Sequence, residues 1–215
     1  MAPRHNYQDI YEGKLHAWFS PPQQNFPIVL FCHGNGGNIS HRQQKLEEFI
    51  KMGVGILIFD YSGYGNSRGV PSEEMCYANA DMFYNYLLKK FPKDKIIPYG
   101  ESLGGAVAMY ISRKYNLGKI ILESSIPSMG IITGTVIPDP FLGKICSNIF
   151  NEFDTVSFLI GYKGKSLVMH CVNDEIIPYN SISALKENAT EFIDMEGTHN
   201  NPVIPWNKIK KFIFL

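Results

Sequence analysis

Short apolar segments recur along the chain, and each runs into a loop rich in glycine or polar residues. They occupy residues 28–32, 54–59, 96–99 and 119–123, and the rhythm resumes at 166–171 and 191–195. Continuous hydrophobicity, as in the first four, is typical of strands buried on both faces. Because helical segments separate the strands, the pattern predicts the α/β class, with a mostly parallel sheet and helices on both faces.

The pattern also predicts elements around this sheet. Residues 13–19 partly alternate and stop at Pro21 and Pro22, which predicts an edge strand. Ser40 and Gln43 have the spacing of a capping box, so a helix is expected to begin at Ser40. Further helices are predicted at residues 72–90, 181–188 and 206–215.

Residues 124–164 interrupt the repeated pattern of strands and helices. Pro127, Pro138 and Pro140 lie there among many apolar residues. A length of 215 residues fits one domain with a substantial core. We therefore expect a single domain over residues 1–215, with residues 124–164 as a small cap or insertion within it.

Charge and composition narrow the classes of partner. Twenty basic and twenty acidic residues cancel, and no block of like charge occurs, which argues against a nucleic-acid partner. Residues 1–9 lack the apolar core of a signal peptide, and nowhere do eighteen apolar residues run together. We therefore expect a soluble, cytoplasmic protein without an integral membrane segment.

The four cysteines are widely separated in sequence and form no C-x-x-C pair. They are Cys32, Cys76, Cys146 and Cys171. We interpret them as reduced packing residues, neither disulfides nor metal ligands. Because their number is even, oxidation in a secretory compartment is the alternative.

Residues 100–104 read Gly-Glu-Ser-Leu-Gly, where an apolar run meets a small-residue run. In a strand that turns sharply into a helix, side chains beside the serine would clash, so Gly100 and Gly104 allow Ser102 to be exposed. The motif predicts a nucleophilic Ser102, with the Leu103 amide directed at a developing oxyanion. Taken alone, the pentapeptide fits an ordinary tight turn equally well.

A nucleophilic serine needs a general base, and candidates follow two later strands. The carboxyl ends of parallel strands share one edge, so Asp174 and His199 can meet Ser102 there. His199 would take the serine proton, and Asp174 would hold the imidazole tautomer. The chain order Ser, Asp, His is that of the α/β hydrolases. Glu175 is a rival carboxylate, and His170 is a rival base.

A second glycine cluster, His33-Gly34-Asn35-Gly36-Gly37-Asn38, follows the strand at residues 28–32. The dinucleotide fingerprint would need a glycine where Ile39 stands, and no Gly-Lys-Ser/Thr follows, so nucleotide binding is not predicted. An acyl-transfer site needs a second oxyanion donor from the loop after this strand. Asn35 is our choice for that donor.

These motifs resemble the α/β-hydrolase family over nearly the whole chain. The loop at residues 33–38, together with Asp60-Tyr61-Ser62-Gly63-Tyr64-Gly65-Asn66-Ser67, is most similar to the abhydrolase-domain branch that includes protein depalmitoylases and their fungal relatives. The resemblance implies Ser102 as nucleophile, Asp174 as acid and His199 as base. It also implies an oxyanion hole made by the Leu103 and Asn35 amides.

The chain departs from this branch at three places. Relatives often carry arginine where Ser62 stands, glycine where Cys171 stands, and a membrane-anchoring N-terminus, which we do not expect in this protein. A further local conflict is Pro98, because proline removes a ladder donor from a predicted central strand. The sequence therefore predicts that Pro98 lies where its missing N–H needs no partner, or that the strand bends there.

The sequence thus predicts a serine hydrolase that cleaves an ester, a thioester or an amide through an acyl-serine intermediate, with no metal or cofactor. Its substrate would be a small molecule or an acylated protein, and the apolar insertion over Ser102 favours an apolar acyl group. Two alternatives stay open. One is a catalytically silent binding or scaffold protein with the same fold, and the other is a serine peptidase with the same triad.

Overall fold

The computed structural model describes residues 7–137, 139, 142 and 152–215. Eight strands form one sheet with the spatial order β1-β2-β4-β3-β5-β6-β7-β8. The strands β1 and β2 run antiparallel to their neighbours, and β3 to β8 are parallel. The eight strands are β1 Gln8–Glu12, β2 Leu15–Ser20, β3 Ile28–Cys32, β4 Gly55–Phe59, β5 Ile96–Glu101, β6 Lys119–Glu123, β7 Lys165–Cys171 and β8 Glu191–Met195.

Helices connect the parallel strands, as the repeated strand–helix pattern predicts. They are α1 Gln43–Lys51, α2 Glu73–Leu88, α3 Gly104–Lys114, α4 Met129–Val136, α5 Thr155–Leu159, α6 Ser183–Asn188 and α7 Trp206–Phe214. Short 3-10 helices lie at Ile39–Arg42, Lys93–Lys95 and Tyr179–Ile182, and a small hairpin pairs β9 Gly197–Thr198 with β10 Asn201–Pro202.

The sheet is covered by helices on both faces, which confirms the predicted fold class. On one face, α2 and α3 pack on inward side chains of the strands, such as Leu30 and Leu122. On the other face, α1 and α7 pack on alternate strand residues such as Phe31. Burial on both sides explains why these strands read as continuous apolar runs.

The expected edge strand at residues 13–19 is wrong, because β2 lies inside the sheet between β1 and β4. The outer strand β1 is polar and mostly exposed, so it has no apolar pattern to reveal it. Polar contacts fix it to β2: His16 Nε2 lies 2.7 Å from Asp9 Oδ1, and Trp18 Nε1 donates to the same oxygen at 3.1 Å. Side-chain hydrogen bonds thus add to the packing of Ile10 on the core at this end of the sheet.

The expected helix start at Ser40 is also wrong. Asn38 is the capping residue: its side chain accepts the Ser40 amide, and the His41 side chain accepts the Asn38 amide. A 3-10 turn follows, and α1 begins at Gln43. Asparagine caps as well as serine does, and the extended backbone of Asn38 favours it here.

Pro98 lies within the central strand β5. It is in register with Leu30 of β3, but pairing of β5 with β6 begins only at Tyr99 opposite Ile121. The strand therefore has no ladder position towards β6 at Pro98. This arrangement matches the prediction that the missing N–H needs no partner.

Part of the predicted insertion at residues 124–164 is described. Ser128 caps α4 by accepting the Ile131 amide, and Asp154 caps α5 by accepting the Ser157 amide. Cys146 and most of residues 138–151 lie outside the described residues. The division into one domain with a cap stays a prediction.

The other three cysteines, Cys32, Cys76 and Cys171, are buried free thiols. None of the helices within residues 7–137 and 152–215 has the length and hydrophobicity that a membrane crossing requires.

Replacement of Phe83 by alanine tests the core beneath α2. The Phe83 ring is fully buried and stacks on Phe59 with 5.0 Å between ring centroids. We expect Phe83→Ala to lower the free energy of unfolding by about 3–5 kcal/mol in urea titrations. The matched control Met82→Ala, on the exposed side of the same helix, should change it by less than about 1 kcal/mol. Equal losses in the two variants would contradict this packing.

Candidate active site

Ser102 lies at the corner between β5 and α3, and its backbone has the left-handed φ of 54°. A non-glycine residue adopts this conformation only where the surroundings impose it. A Cβ added at Gly104 would lie 2.1 Å from the carbonyl oxygen of Cys32, and one at Gly100 would lie 2.5 Å from the Cα of Gly105. The two glycines therefore allow a turn so tight that the serine stands out from it.

The structure brings Ser102, His199 and Asp174 into one chain of hydrogen bonds. His199 Nε2 is 3.1 Å from Ser102 Oγ, and His199 Nδ1 is 2.8 Å from Asp174 Oδ2. With the proton on Nδ1 donated to Asp174, Nε2 is free to accept the serine hydroxyl proton. In this arrangement a proton can pass from the serine hydroxyl to the imidazole while the carboxylate orients the ring.

Asp174 is fixed from its other side as well. Its Oδ1 accepts the amides of Ile176 at 3.0 Å and Ile177 at 2.7 Å. Burial alone would raise the pKa of this carboxyl, but the hydrogen bonds from His199 and Ile177 outweigh it and hold the pKa below its usual value. Asp174 is therefore ionised at neutral pH and can stabilise a charged imidazole.

The two rival residues have other partners. The Glu175 carboxylate accepts the backbone amide of His199 at 2.8 Å, so it holds the histidine loop without contacting the imidazole ring in the described hydrogen bonds. His170 Nε2 donates to the Ile177 carbonyl at 3.0 Å, and burial lowers the pKa of His170. Ser102 Oγ thus has His199, and neither rival, as its hydrogen-bonding partner among the described residues.

The loop after β3 lies beside the serine. The Tyr61 hydroxyl donates to the His33 carbonyl at 2.9 Å, and His33 Nδ1 donates to the Gly34 carbonyl at 2.7 Å. Burial lowers the pKa of His33 to about 4, so its imidazole is neutral and serves as a fixed hydrogen-bond donor. These contacts hold the backbone that leads into Asn35.

The two predicted oxyanion donors, Asn35 and Leu103, follow the carboxyl ends of β3 and β5. The Asn35 side chain is occupied, because its Oδ1 accepts the Tyr64 hydroxyl. The backbone amides of Asn35 and Leu103 form no hydrogen bond within the described part of the chain. Both amides are therefore available for a ligand atom.

A cavity of about 570 Å³ opens at Ser102. Polar and apolar atoms contribute about equally to its lining, and none of the described residues of the 124–164 segment contributes to it. The described part of that segment therefore adds nothing to the expected apolar acyl preference, which stays a prediction. The lining residues are Gly34, Asn35, Gly36, Gly37, His41, Arg42, Lys45, Glu101, Ser102, Ile176, His199, Asn200 and Pro202.

A partly buried ion network beside Ser102 was not foreseen from the sequence. Glu101 accepts from Arg42 at 2.7 Å and from Lys45 at 2.8 Å, and Lys45 also donates to Glu123 at 2.7 Å. The Tyr99 hydroxyl donates to the other oxygen of Glu123. The available signals were a carboxylate next to the serine and two cations one turn apart, and neither is specific alone.

The charges in this network balance. Burial would raise the pKa of Glu101, but the positive charges of Lys45 and Arg42 lower it to about 2. Glu101 is therefore ionised across the neutral range. Among the residues described, no three or more His, Cys, Asp or Glu side chains are grouped so that they could hold a metal ion.

A mostly parallel sheet with a serine at a strand–helix corner, followed by an aspartate and a histidine on later loops, defines the α/β-hydrolase class. The chain belongs to the family described as "Serine aminopeptidase, S33", which matches residues 23–152. The predicted resemblance to α/β hydrolases is thereby confirmed.

Known relatives agree with this assignment. The chain is 32% identical to the alpha/beta hydrolase domain-containing protein WAV2 of Arabidopsis thaliana, over 80% of this chain and 63% of that protein. It is 30% identical to an uncharacterised membrane protein of Saccharomyces cerevisiae, over 93% of this chain and 75% of the yeast protein. The Pyrococcus furiosus esterase Pf2001 shares the fold, with a TM-score of 0.75 and 16% identity over 96% and 91% of the two chains.

Acid unfolding tests the ion pairs of Glu101 with Arg42 and Lys45. Because the pKa of Glu101 is lowered from 4.5 to about 2, its stabilising effect is fully present above about pH 4.5 and is lost as the pH falls towards 2. In Glu101→Gln, we expect a lower Tm at neutral pH but a smaller loss of Tm on acidification, followed by circular dichroism.

The control for this experiment is Glu48→Gln, which removes a partly exposed carboxylate paired with Lys51. It should keep the acid dependence of the wild type. If Glu101→Gln also kept that dependence, the lowered pKa of Glu101 would be refuted.

Proposed function

We propose that the chain is a serine hydrolase that cleaves a carboxylic ester or a thioester through an acyl-enzyme. The observation that carries the proposal is the continuous hydrogen bonding from Ser102 through His199 to Asp174. Such an alignment provides a nucleophile, its base and the group that orients the base. The two unoccupied amides beside Ser102 supply the remaining requirement, a place for negative charge.

In the first half-reaction, Ser102 Oγ attacks the carbonyl carbon while His199 Nε2 takes the hydroxyl proton. The carbonyl oxygen becomes an oxyanion, which the Leu103 and Asn35 amides stabilise by donating to it. Asp174 stabilises the imidazolium. The tetrahedral intermediate then collapses, and the leaving alcohol or thiol departs with the proton from Nε2, so the acyl group remains on Oγ.

In the second half-reaction, a water molecule takes the place of the leaving group. His199 removes one proton from this water as its oxygen attacks the acyl carbon. Collapse of the second tetrahedral intermediate breaks the bond to Oγ, and the proton on Nε2 returns to Ser102. The products are the carboxylic acid and the original enzyme.

The charges around the cavity favour an ester or thioester over an aminopeptidase substrate. An aminopeptidase must bind the α-ammonium group of its substrate, for which a free carboxylate is the natural partner. Glu101 is the carboxylate among the described lining residues, and Arg42 and Lys45 already neutralise it. The described lining therefore offers little for an α-ammonium group.

Removal of the nucleophile is the direct test. We expect Ser102→Ala to lower kcat for a 4-nitrophenyl ester by roughly 10⁶-fold, as in subtilisin, and to abolish labelling by a fluorophosphonate probe. Ser112→Ala is the matched control, because Ser112 lies on the helix that follows the Ser102 corner and its hydroxyl donates to the Ala108 carbonyl. Retained activity in Ser102→Ala would refute Ser102 as the nucleophile, whereas no labelling of folded wild type would favour the scaffold alternative.

The two adjacent carboxylates can be separated in the same assay. Asp174→Asn should lower kcat by about 10⁴-fold. Without the carboxylate, His199 would no longer be held in the tautomer with its proton on Nδ1, and no negative charge would stabilise the imidazolium. Glu175→Gln should cost far less, about tenfold or below, since in the described hydrogen bonds Glu175 accepts from the His199 amide and the Asn200 side chain and not from the imidazole. The reverse order of effects would assign the acid to Glu175.

A substrate series distinguishes the hydrolase subclasses. Acyl esters from acetyl to palmitoyl, the matching thioesters and aminoacyl 4-nitroanilides would be compared by kcat/KM with one enzyme preparation. We expect turnover of esters or thioesters, dependent on Ser102. Preferential cleavage of the anilides would identify a peptidase.

A further inference from the structure

The Arg42 guanidinium joins the end of β5, next to Ser102, to the loop that follows β3. Its Nε and Nη2 donate to Glu101 Oε1 at 3.2 and 2.7 Å. Its Nη1 donates to the carbonyl oxygens of Gly36 at 2.5 Å and Asn38 at 3.4 Å. One rigid, planar group thus contacts both the residue before Ser102 and the backbone that follows Asn35.

The space between these parts is tight. A Cβ at Gly34 would lie 3.1 Å from Ser102 Cβ, 3.2 Å from Glu101 Oε1 and 3.5 Å from Arg42 Nη2. The loop backbone, the nucleophile and the guanidinium are therefore packed closely around one point. A small displacement of the loop would change the distance between the Asn35 amide and an oxyanion on Ser102.

We propose that Arg42 is a positioning residue for the oxyanion hole. Its guanidinium sets the distance from the Asn35 amide to Ser102 by tying the Gly36 and Asn38 carbonyls to Glu101. The inference rests on the proposed function, because an oxyanion forms only if Ser102 attacks an acyl group. Arg42 itself touches neither the serine hydroxyl nor His199 in the described hydrogen bonds.

The chemistry of the guanidinium explains why arginine suits this position. Its N–H groups point outward in fixed directions, so it can bind a carboxylate and carbonyl groups at once. A lysine carries the same charge at a single flexible point and cannot reproduce that fork. Lys45 illustrates the difference, because it balances Glu101 and Glu123 but has no hydrogen bond to the loop in the described residues.

The test variant is therefore Arg42→Lys, which keeps the positive charge but cannot donate to Glu101 and to the loop carbonyls at the same time. We expect kcat for a small ester to fall about 10- to 100-fold, somewhat less than the loss of an oxyanion donor costs, with KM within about twofold. The Ki of a trifluoromethyl ketone, whose adduct with Ser102 carries an oxyanion, should rise in parallel with the loss of kcat/KM. The Ki of the corresponding secondary alcohol, which the serine cannot attack, should not change.

The matched control is Arg113→Lys. Arg113 lies at the far end of α3, is exposed, and also donates to a backbone carbonyl, that of Ile160 at 3.2 Å. It should keep kcat and both inhibition constants. Thermal melts of all variants would establish that each is folded at the assay temperature.

Two further variants distinguish the positioning role of Arg42 from the effect of its positive charge. Arg42→Ala should regain activity when guanidinium ion is added at concentrations that leave its Tm unchanged, and methylammonium should restore less. Arg42→Gln combined with Glu101→Gln restores the charge balance without the tie to the loop, so it should stay slow. Recovery in this double variant would assign the effect to charge and overturn the proposal.

The outcomes also separate this inference from the proposed function. If wild type hydrolyses esters through Ser102 and Arg42→Lys has an unchanged kcat and ketone Ki, the positioning role is wrong and the hydrolase stands. If wild type neither labels nor hydrolyses any ester or thioester, the proposed function is wrong. A rise in the Ki of both inhibitors together would indicate a distorted cavity and would also overturn the positioning role.

Discussion

The closeness of α3 to the end of β3 is the constraint on which the rest of the site depends. There is no room for a side chain at position 104, because the Cys32 carbonyl is already there. The helix can therefore start directly behind the strand, and the backbone at Ser102 is forced into a left-handed conformation. A single close approach of backbone to backbone thus determines where the hydroxyl group points and leaves the Leu103 amide, just before the helix, without a hydrogen bond in the described residues.

The other groups of the site are arranged around this corner by hydrogen bonds to backbone atoms. Asp174 is held by two amides, the loop of His199 is held by Glu175, and the glycine loop is held through the Tyr61 hydroxyl. Such contacts order loops that have little apolar surface to bury. They make the geometry dependent on many modest interactions, each of which contributes about 1 kcal/mol.

The sequence predicted the parts of the molecule that bury apolar surface or need glycine. The central strands and the serine corner belong to this class, because the hydrophobic pattern and the Gly-x-Ser-x-Gly spacing report local requirements. The polar parts were harder to predict. Strand β1 is held by the contacts of Asp9, and the carboxylate partners of Arg42 and Lys45 come from strands more than fifty residues away, so no local pattern reveals them.

The polar character of β1 has a consequence for association between molecules. The first strand of an open sheet exposes a row of unpaired backbone groups, to which a second sheet could add. Here that row belongs to a strand of only five residues, and Gln8, Asp9 and Glu12 give it a hydrophilic outer surface. Carboxylates at this position oppose stacking of one sheet edge on another, so the strand that was hardest to see in the sequence is suited to protecting the folded chain from aggregation.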